Sequence, residues 1–342
     1  MPSFATGGVT EVLEERPGLQ RLRVRMDSGV DARAYSLVEL TGACTVGDRV
    51  VCNTTAVDRA LGTGGWHVVH WNLSRNSLEQ PGPDHVMKLR YTSLQADVGT
   101  SELRYPEPAD APLEDAPVVA CTVHSPVPLV ALGFAHAAPG RRLAYVMTDG
   151  AALPLALSDS VAALCERGLL VGTVTAGHAF GGDLEAVGVP SALSLARHVL
   201  EADAVVAAMG PGVVGTGTAM GTTALEAAHL LDTTARRGGR PVLCVRTSTA
   251  DRRGRHQGVS HHVHSLLELT FSTPAVADIP GAVDDAVSAR CDLHDVGEIP
   301  DPGQLQEAAD IRVTTMGRGH DQEPSFFSAA VAAGVLAARL CS

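Results

Sequence analysis

The chain has 342 residues, 45% of them hydrophobic and only 4% aromatic, so it is long enough for two domains and its core must be aliphatic and alanine-based. A formal net charge of −12 excludes general attraction to nucleic acid or to an anionic membrane surface, both of which need basic patches. Lysine occurs once, at Lys88, which rules out a glycine–lysine phosphate loop and any Schiff-base lysine in the second half.

From the start of the chain the pattern is β-rich. Val9–Leu13, Gln20–Met26 and Ala32–Val38 alternate or carry β-branched residues, and Pro17–Gly18 and Asp27–Ser28–Gly29 separate them as turns. Arg49–Cys52 and Trp66–Trp71 continue the series across the glycine-rich stretch Asn53–Gly65. Residues 1–110 are therefore expected to form a small all-β, barrel-like domain. His67 and His70 are expected on its rim, with no ligand spacing. The acidic, proline-rich residues 105–117 read as an interdomain linker.

Beyond the linker the period changes. Strands are expected at Val118–Val123, Arg142–Met147, Leu169–Thr175, Ala204–Met209 and Val242–Arg246, with helices at Pro126–Ala138, Leu157–Arg167, Pro190–Leu200 and Thr222–Arg236 between them. His294–Ile299 and Ile311–Met316 read as later short strands, and Ser325–Leu340 as a closing helix. Alternating strands and helices predict an α/β, Rossmann-like parallel sheet with flanking helices over residues 111–342. Ligands of such sheets bind beyond the carboxyl ends of the strands.

The seven cysteines are scattered with no short-spaced pair, which reads as reduced thiols in a cytoplasmic protein. The start, MPSFATGG, shows no basic segment leading into an apolar one, and the apolar run Phe326–Ala338 is too short to span a bilayer.

Five stretches carry a resemblance: Gly47–Val69, Gly177–Gly188, Met209–Thr218, Arg255–Ser265 and Thr314–Gly319. Together they resemble an uncharacterised bacterial family, a domain of unknown function, over essentially the whole chain. The resemblance implies no activity and no catalytic residue, so chemistry has to come from the residues themselves.

The polar loops after the strands hold it. The longest, Gly210–Gly221, matches a dinucleotide fingerprint at Gly210, Gly212 and Gly215, but it follows the fourth strand of its domain and no ribose-binding acid lies about 20 residues on. With Thr216, Gly217 and Thr218 it reads instead as a phosphate or carboxylate cradle, in which backbone N–H groups converge ahead of a helix. Asp149 lies in the loop after the second strand, and Arg318 supplies a two-pronged anion contact. His178 and Asp183 in one loop, and His261 and His262 in another, are the candidate acid–base residues. His178, Asp183 and His262 are the candidate ligands for a divalent metal. Arg252, Arg253 and Arg255 cluster beside His256, and a nucleophile pair Ser260–His261 is disfavoured because adjacent residues rarely face each other.

The resulting expectation is a hydrolase-type enzyme acting on a small anionic metabolite, phosphorylated or carboxylated. A non-catalytic nucleotide- or metabolite-binding module is the alternative, and a nicotinamide-dependent oxidoreductase stands further off. The expected partners are a small anionic ligand, no nucleic acid and no membrane, with a homo-oligomer the one protein association to consider.

Overall fold

The computed structural model of the chain describes residues 1–62 and 64–341, and its contacts divide it into one unit up to Gly99 and a second from Thr100 onward. Thr63, in the glycine-rich stretch singled out above, lies outside the described residues.

The first unit is a closed barrel of β1 (Phe4–Arg16), β2 (Leu19–Met26), β3 (Asp31–Leu37), β4 (Arg49–Asn53) and β5 (Trp66–Asn72), in the order β1-β2-β3-β5-β4. Pairs are antiparallel except β3 with β5. The alternation that marked the strands is the alternation of burial. Along β2, Leu22, Val24 and Met26 point into a core with Val9, Ala34, Val50 and Val69, while Arg23 and Arg25 face out. Gly29, at φ 85°, makes the turn between β2 and β3 in a conformation that side chains resist. His67 and His70, expected at the rim, are both half-buried in β5. A short hairpin of β6 (Met87–Lys88) and β7 (Ala96–Asp97) follows the barrel.

In the second unit the stretch expected as a linker is folded. Pro106–Asp110 is a helix whose prolines occupy its first turn, where a missing N–H is harmless, and Leu113 behind it is fully buried. Eight strands then form one parallel sheet. They are β8 (Pro117–Cys121), β9 (Leu143–Thr148), β10 (Thr173–Ala176), β11 (Leu184–Ala186), β12 (Ala204–Met209), β13 (Arg240–Cys244), β16 (Ala275–Ala277) and β17 (Asp292–His294). The order is β11-β10-β9-β12-β8-β13-β16-β17. Between β13 and β16 a small hairpin pairs β14 (Thr247–Ser248) with β15 (Gly258–Val259). The architecture is thus an α/β Rossmann-like sheet with flanking helices preceded by an all-β barrel, as the sequence predicts. The expected late strands shift. His294 ends β17 instead of opening a strand, and Ile311–Met316 is irregular, closed by a turn in which Thr315 and Arg318 exchange backbone hydrogen bonds.

Central strands are buried from end to end, β8, β9 and β12 without a single exposed position. One covering layer contains the helices Val127–Ala137 and Pro324–Leu340, which pack against each other closely enough that their backbones touch. A Cβ on Gly133 would overlap the carbonyl of Val331, and one on Gly334 would overlap the carbonyl of Val130. The crossing therefore requires glycine from both sides, and the alanines of Pro324–Leu340 carry the same close approach along the helix.

Replacing Gly334 by valine forces this crossing apart. We expect denaturant unfolding to show a loss of about 3 kcal/mol, with a smaller loss for alanine; an unchanged midpoint for the valine variant would show that the two helices are not held at backbone contact.

Candidate functional site

The carboxyl ends of the strands carry the polar loops, and the richest lies past β13. Arg246 follows that strand by two residues, with only 9% of its surface exposed. Its Nη1 donates to His262 Nδ1 at 2.9 Å, and it enters no ion pair among the described residues. Burial, and next the charge of Arg253, push its guanidinium down to about 10. Asp251 and Glu323 oppose this through their charge without bonding to it, and a buried cation with no carboxylate bonded to it is costly.

His262 belongs to the helix His261–Leu269, whose N-cap is Ser260. His256, in the 3-10 turn Gly254–His256, meets Ser260 Oγ through Nδ1 at 2.8 Å. Rings of His256, His261 and His262 lie 4.5 to 5.0 Å apart by centroid. Burial first, then the surrounding arginines, depress all three, His256 to about 4 and His262 to about 3. They are neutral imidazoles at pH 7.

Two carboxylates balance part of the charge. Asp251 is gripped by both prongs of Arg253, at 2.9 and 2.7 Å, and that hydrogen bonding holds it well below the usual carboxylate range. Glu323, fully buried, accepts from Ser248 Oγ at 2.8 Å and from Arg318 Nε at 2.7 Å. With Arg255 beside Gly217, four arginines face two carboxylates, an excess of two positive charges in a chain that is strongly negative overall.

Among the described residues, His256, His261 and His262 are the group with metal-ligand spacing, their ligand atoms all within 4.8 Å of one another. The tautomer of His262 argues against its ligating a cation. A ligating histidine donates its second N–H to an acceptor. Arginine has only donors, so His262 Nδ1 is an acceptor, the proton sits on Nε2, and that nitrogen, 3.4 Å from Thr222 Oγ1, is a donor. Two donors and a positive field suit an anion instead.

Several of the predicted site residues fall elsewhere. Asp183 accepts from the backbone N–H and hydroxyl of Thr173, the first residue of β10, so it lies at the amino end of that strand. Glu185 likewise holds Thr175 Oγ1 and the Gly181 N–H. Both acids staple the turn from β10 to β11, and Asp183 is neither a metal ligand nor a base at the carboxyl edge. His178 is at that edge, its N–H donating to Asp149 Oδ2 at 2.9 Å. It follows β10, however, which four strand steps separate from β13, roughly 19 Å. It therefore does not share a site with His261 or His262.

The glycine loop is not a helix-capping cradle. Gly210 is buried under the Ala152 carbonyl, and residues 212–220 form an exposed excursion. Inside it the N–H groups of Thr216 and Thr223 bond to Gly221 and Val214 carbonyls, and Thr218 Oγ1 accepts from the Gly221 N–H. Gly212, Gly215, Gly217 and Thr218 thus shape a hairpin that returns at Thr222 to touch His262. This also removes the geometry a dinucleotide pyrophosphate requires, a glycine turn leading straight into a helix. Arg318 is committed to Glu323.

Two residues escaped the sequence reading. Arg246 ended an apolar run and was counted into the strand; a charge closing such a run was the available signal. Glu226, first residue of the helix Glu226–Arg236, accepts from Thr148 Oγ1 at 2.7 Å at the end of β9. Burial raises its carboxyl above the ordinary value, Thr148 opposes that, and Asp149 adds to it. A third group is buried beneath the edge: His124 Nδ1–H donates to the Met209 carbonyl at 3.1 Å, and Ser158 Oγ lies 2.7 Å from Nε2. Ser158 caps the helix Asp159–Glu166, and burial drives His124 down to about 4. The surface cavities around the helix Pro302–Ala309, lined by His136, Arg167, Leu305 and Ala308, hold no such constellation.

Histidines held neutral in the fold stabilise it above their ordinary value of 6.5 and cease to do so as pH falls toward 4, because the unfolded chain takes up the protons first. Unfolding free energy measured from pH 7 to 4.5 should therefore fall steadily, and the slope should flatten in a variant with His124 and His256 both replaced by glutamine. A flat wild-type profile would contradict the buried, neutral assignment.

No curated protein matches the chain. Residues 33–334 match the family described as protein of unknown function (DUF3866), and the chain belongs to that family.

Proposed function

We propose that the protein is a hydrolase-type enzyme acting on a small anionic metabolite, phosphorylated or carboxylated, at the carboxyl edge of its parallel sheet. The observation that carries this reading is Arg246, a buried guanidinium bonded to a neutral histidine; the nearby carboxylates Asp251 and Glu323 are hydrogen-bonded to Arg253 and Arg318 instead. An anion supplies the missing charge. Arg246 and Arg255 hold it, and the His262 Nε2–H donates beside them.

His261 supports the catalytic part. It is half-buried at the rim of the cluster and neutral at pH 7, the state a general base needs, and a neighbouring anion raises its basicity toward the working pH. The metal route is not needed, since the charge on the anion is met by guanidinium groups. Burial of Ser260 and Ser158 favours water over a side-chain nucleophile. The same burial is what favours the second reading, a non-catalytic binding module using the same contacts.

The test uses inorganic phosphate and malonate as probes and p-nitrophenyl phosphate and p-nitrophenyl acetate as reporters of turnover. The wild type should gain thermal stability with phosphate or malonate by mass action. Arg246→Met should lose more than tenfold in affinity while gaining stability, by about 1–2 kcal/mol, in buffer free of multivalent anions. Binding with no release of p-nitrophenolate makes the protein a binding module. No anion-dependent stabilisation, or an Arg246→Met variant that binds as well as the wild type, removes the reading.

A further inference from the structure

The anion reading leaves the hairpin Gly210–Gly221 without a role, although it touches the site. Residues 212–220 are all exposed, so the surrounding fold does little to hold them. They hold one another. The Thr216 N–H donates to the Gly221 carbonyl at 2.8 Å, the Thr223 N–H to the Val214 carbonyl at 2.9 Å, and the Val214 N–H to Thr223 Oγ1 at 3.1 Å. The hydroxyls of Thr216 and Thr218 meet at 2.9 Å, and Thr218 Oγ1 accepts from the Gly221 N–H at 3.1 Å. An arm braced within itself and exposed along its length is built to move as one piece about its ends. One end has room to turn: Gly212 sits at φ 104°, and a Cβ there would meet nothing within 4 Å.

Two contacts of this arm reach the anion site. At its base, Thr222 Oγ1 lies 3.4 Å from His262 Nε2, beyond the usual hydrogen-bond length. Near its tip, Gly217 lies on Arg255. A Cβ at Gly217 would stand 3.6, 3.7 and 3.8 Å from Arg255 Nη1, Cζ and Nη2, near-equal distances that put the guanidinium plane face-on to the arm. Arg255 is exposed and makes no hydrogen bond or ion pair among the described residues, so the donors around the edge of that plane are uncommitted. Its charge is also the first, after burial, to depress His261.

The arm carries no charged residue, yet it exposes Val213, Val214 and Met220. The N–H groups of Gly217, Ala219 and Met220 have no protein partner among the described residues. Apolar side chains that exclude water, and backbone donors that meet negative charge, are what a cover over an anion needs.

We propose that Gly210–Gly221 is a lid that turns at Gly212 and closes over an anion held by Arg246 and Arg255, the N–H groups of its tip donating to that anion. The proposal rests on the anion reading above and adds how the site is shut. Those donors gain a partner only when the anion is present, so binding is what favours the closed state. Glycine at position 217 lets the tip settle on the face of Arg255; a branched side chain there props the lid away.

Hydrogen–deuterium exchange of the full chain, with and without inorganic phosphate, tests it. In the wild type, phosphate should slow exchange across residues 212–220 by about threefold or more, while peptides of the barrel keep their rates. Arg246→Met should show no such protection. Gly217→Val alters an exposed tip, so it should melt as the wild type does without phosphate, yet bind phosphate several-fold more weakly by calorimetry and lose the protection. If phosphate binds the wild type but exchange in 212–220 is unchanged, or if Gly217→Val keeps both affinity and protection, the lid is overturned and the anion reading stands. If phosphate fails to bind the wild type, both fall.

Discussion

A sheet of parallel strands has to be covered on both faces, because each crossover returns the chain to the same starting edge and lays a helix on the way. That constraint orders the second unit. It forces strands such as β8, β9 and β12 to be apolar throughout, which sends almost every charged residue of the unit to helix surfaces or strand ends. It also sends every carboxyl end to one edge, so polar loops widely separated in the chain become neighbours in space. The close crossing of Gly133 and Gly334 belongs to the same requirement, since two helices pressed onto one face must share the room available.

Electrostatics then divides that edge. Toward β13 the field is positive, the histidines are kept neutral, and the carboxylates present are already held by arginine. Toward β9 the side chains are acidic, and one carboxylate is half-buried with its ordinary acidity weakened. Between them runs a hairpin of glycine and threonine with no charge of its own.

How much of this was legible depended on whether the information was local. Long apolar runs such as Ala204–Met209 declared themselves, and so did the glycines and β-branched alternation of the barrel. Three-residue strands such as β11 and β16 are too short to show a period, and β11 was hidden inside a motif read as chemistry. Asp183 was misread because sequence shows that an acid follows a strand but not that the chain folds back to bring it to the strand's beginning. His178 and His262 were expected to meet because their loops emerge at one edge. The order of strands along that edge, with β9, β12 and β8 between β10 and β13, is what separates them, and no local pattern encodes it. Arg246 was visible as a residue and invisible as a buried charge, since the histidine it bonds lies 16 residues on and meets it only in the fold.

The position of β12 has a consequence for how the chain reaches this state. β8 and β9 never pair with each other; β12, beginning at Ala204, fills the gap between them. During synthesis both strands emerge with unpaired apolar edges, and the gap between them closes only after some 80 residues have been held apart. Non-local pairing of this kind slows folding and prolongs the interval in which edges can recruit other chains. A nascent chain ending before Ala204 thus holds β9, β10 and β11 beside a lone β8 whose two partner strands have yet to be made, a stage at which a chaperone has much to protect.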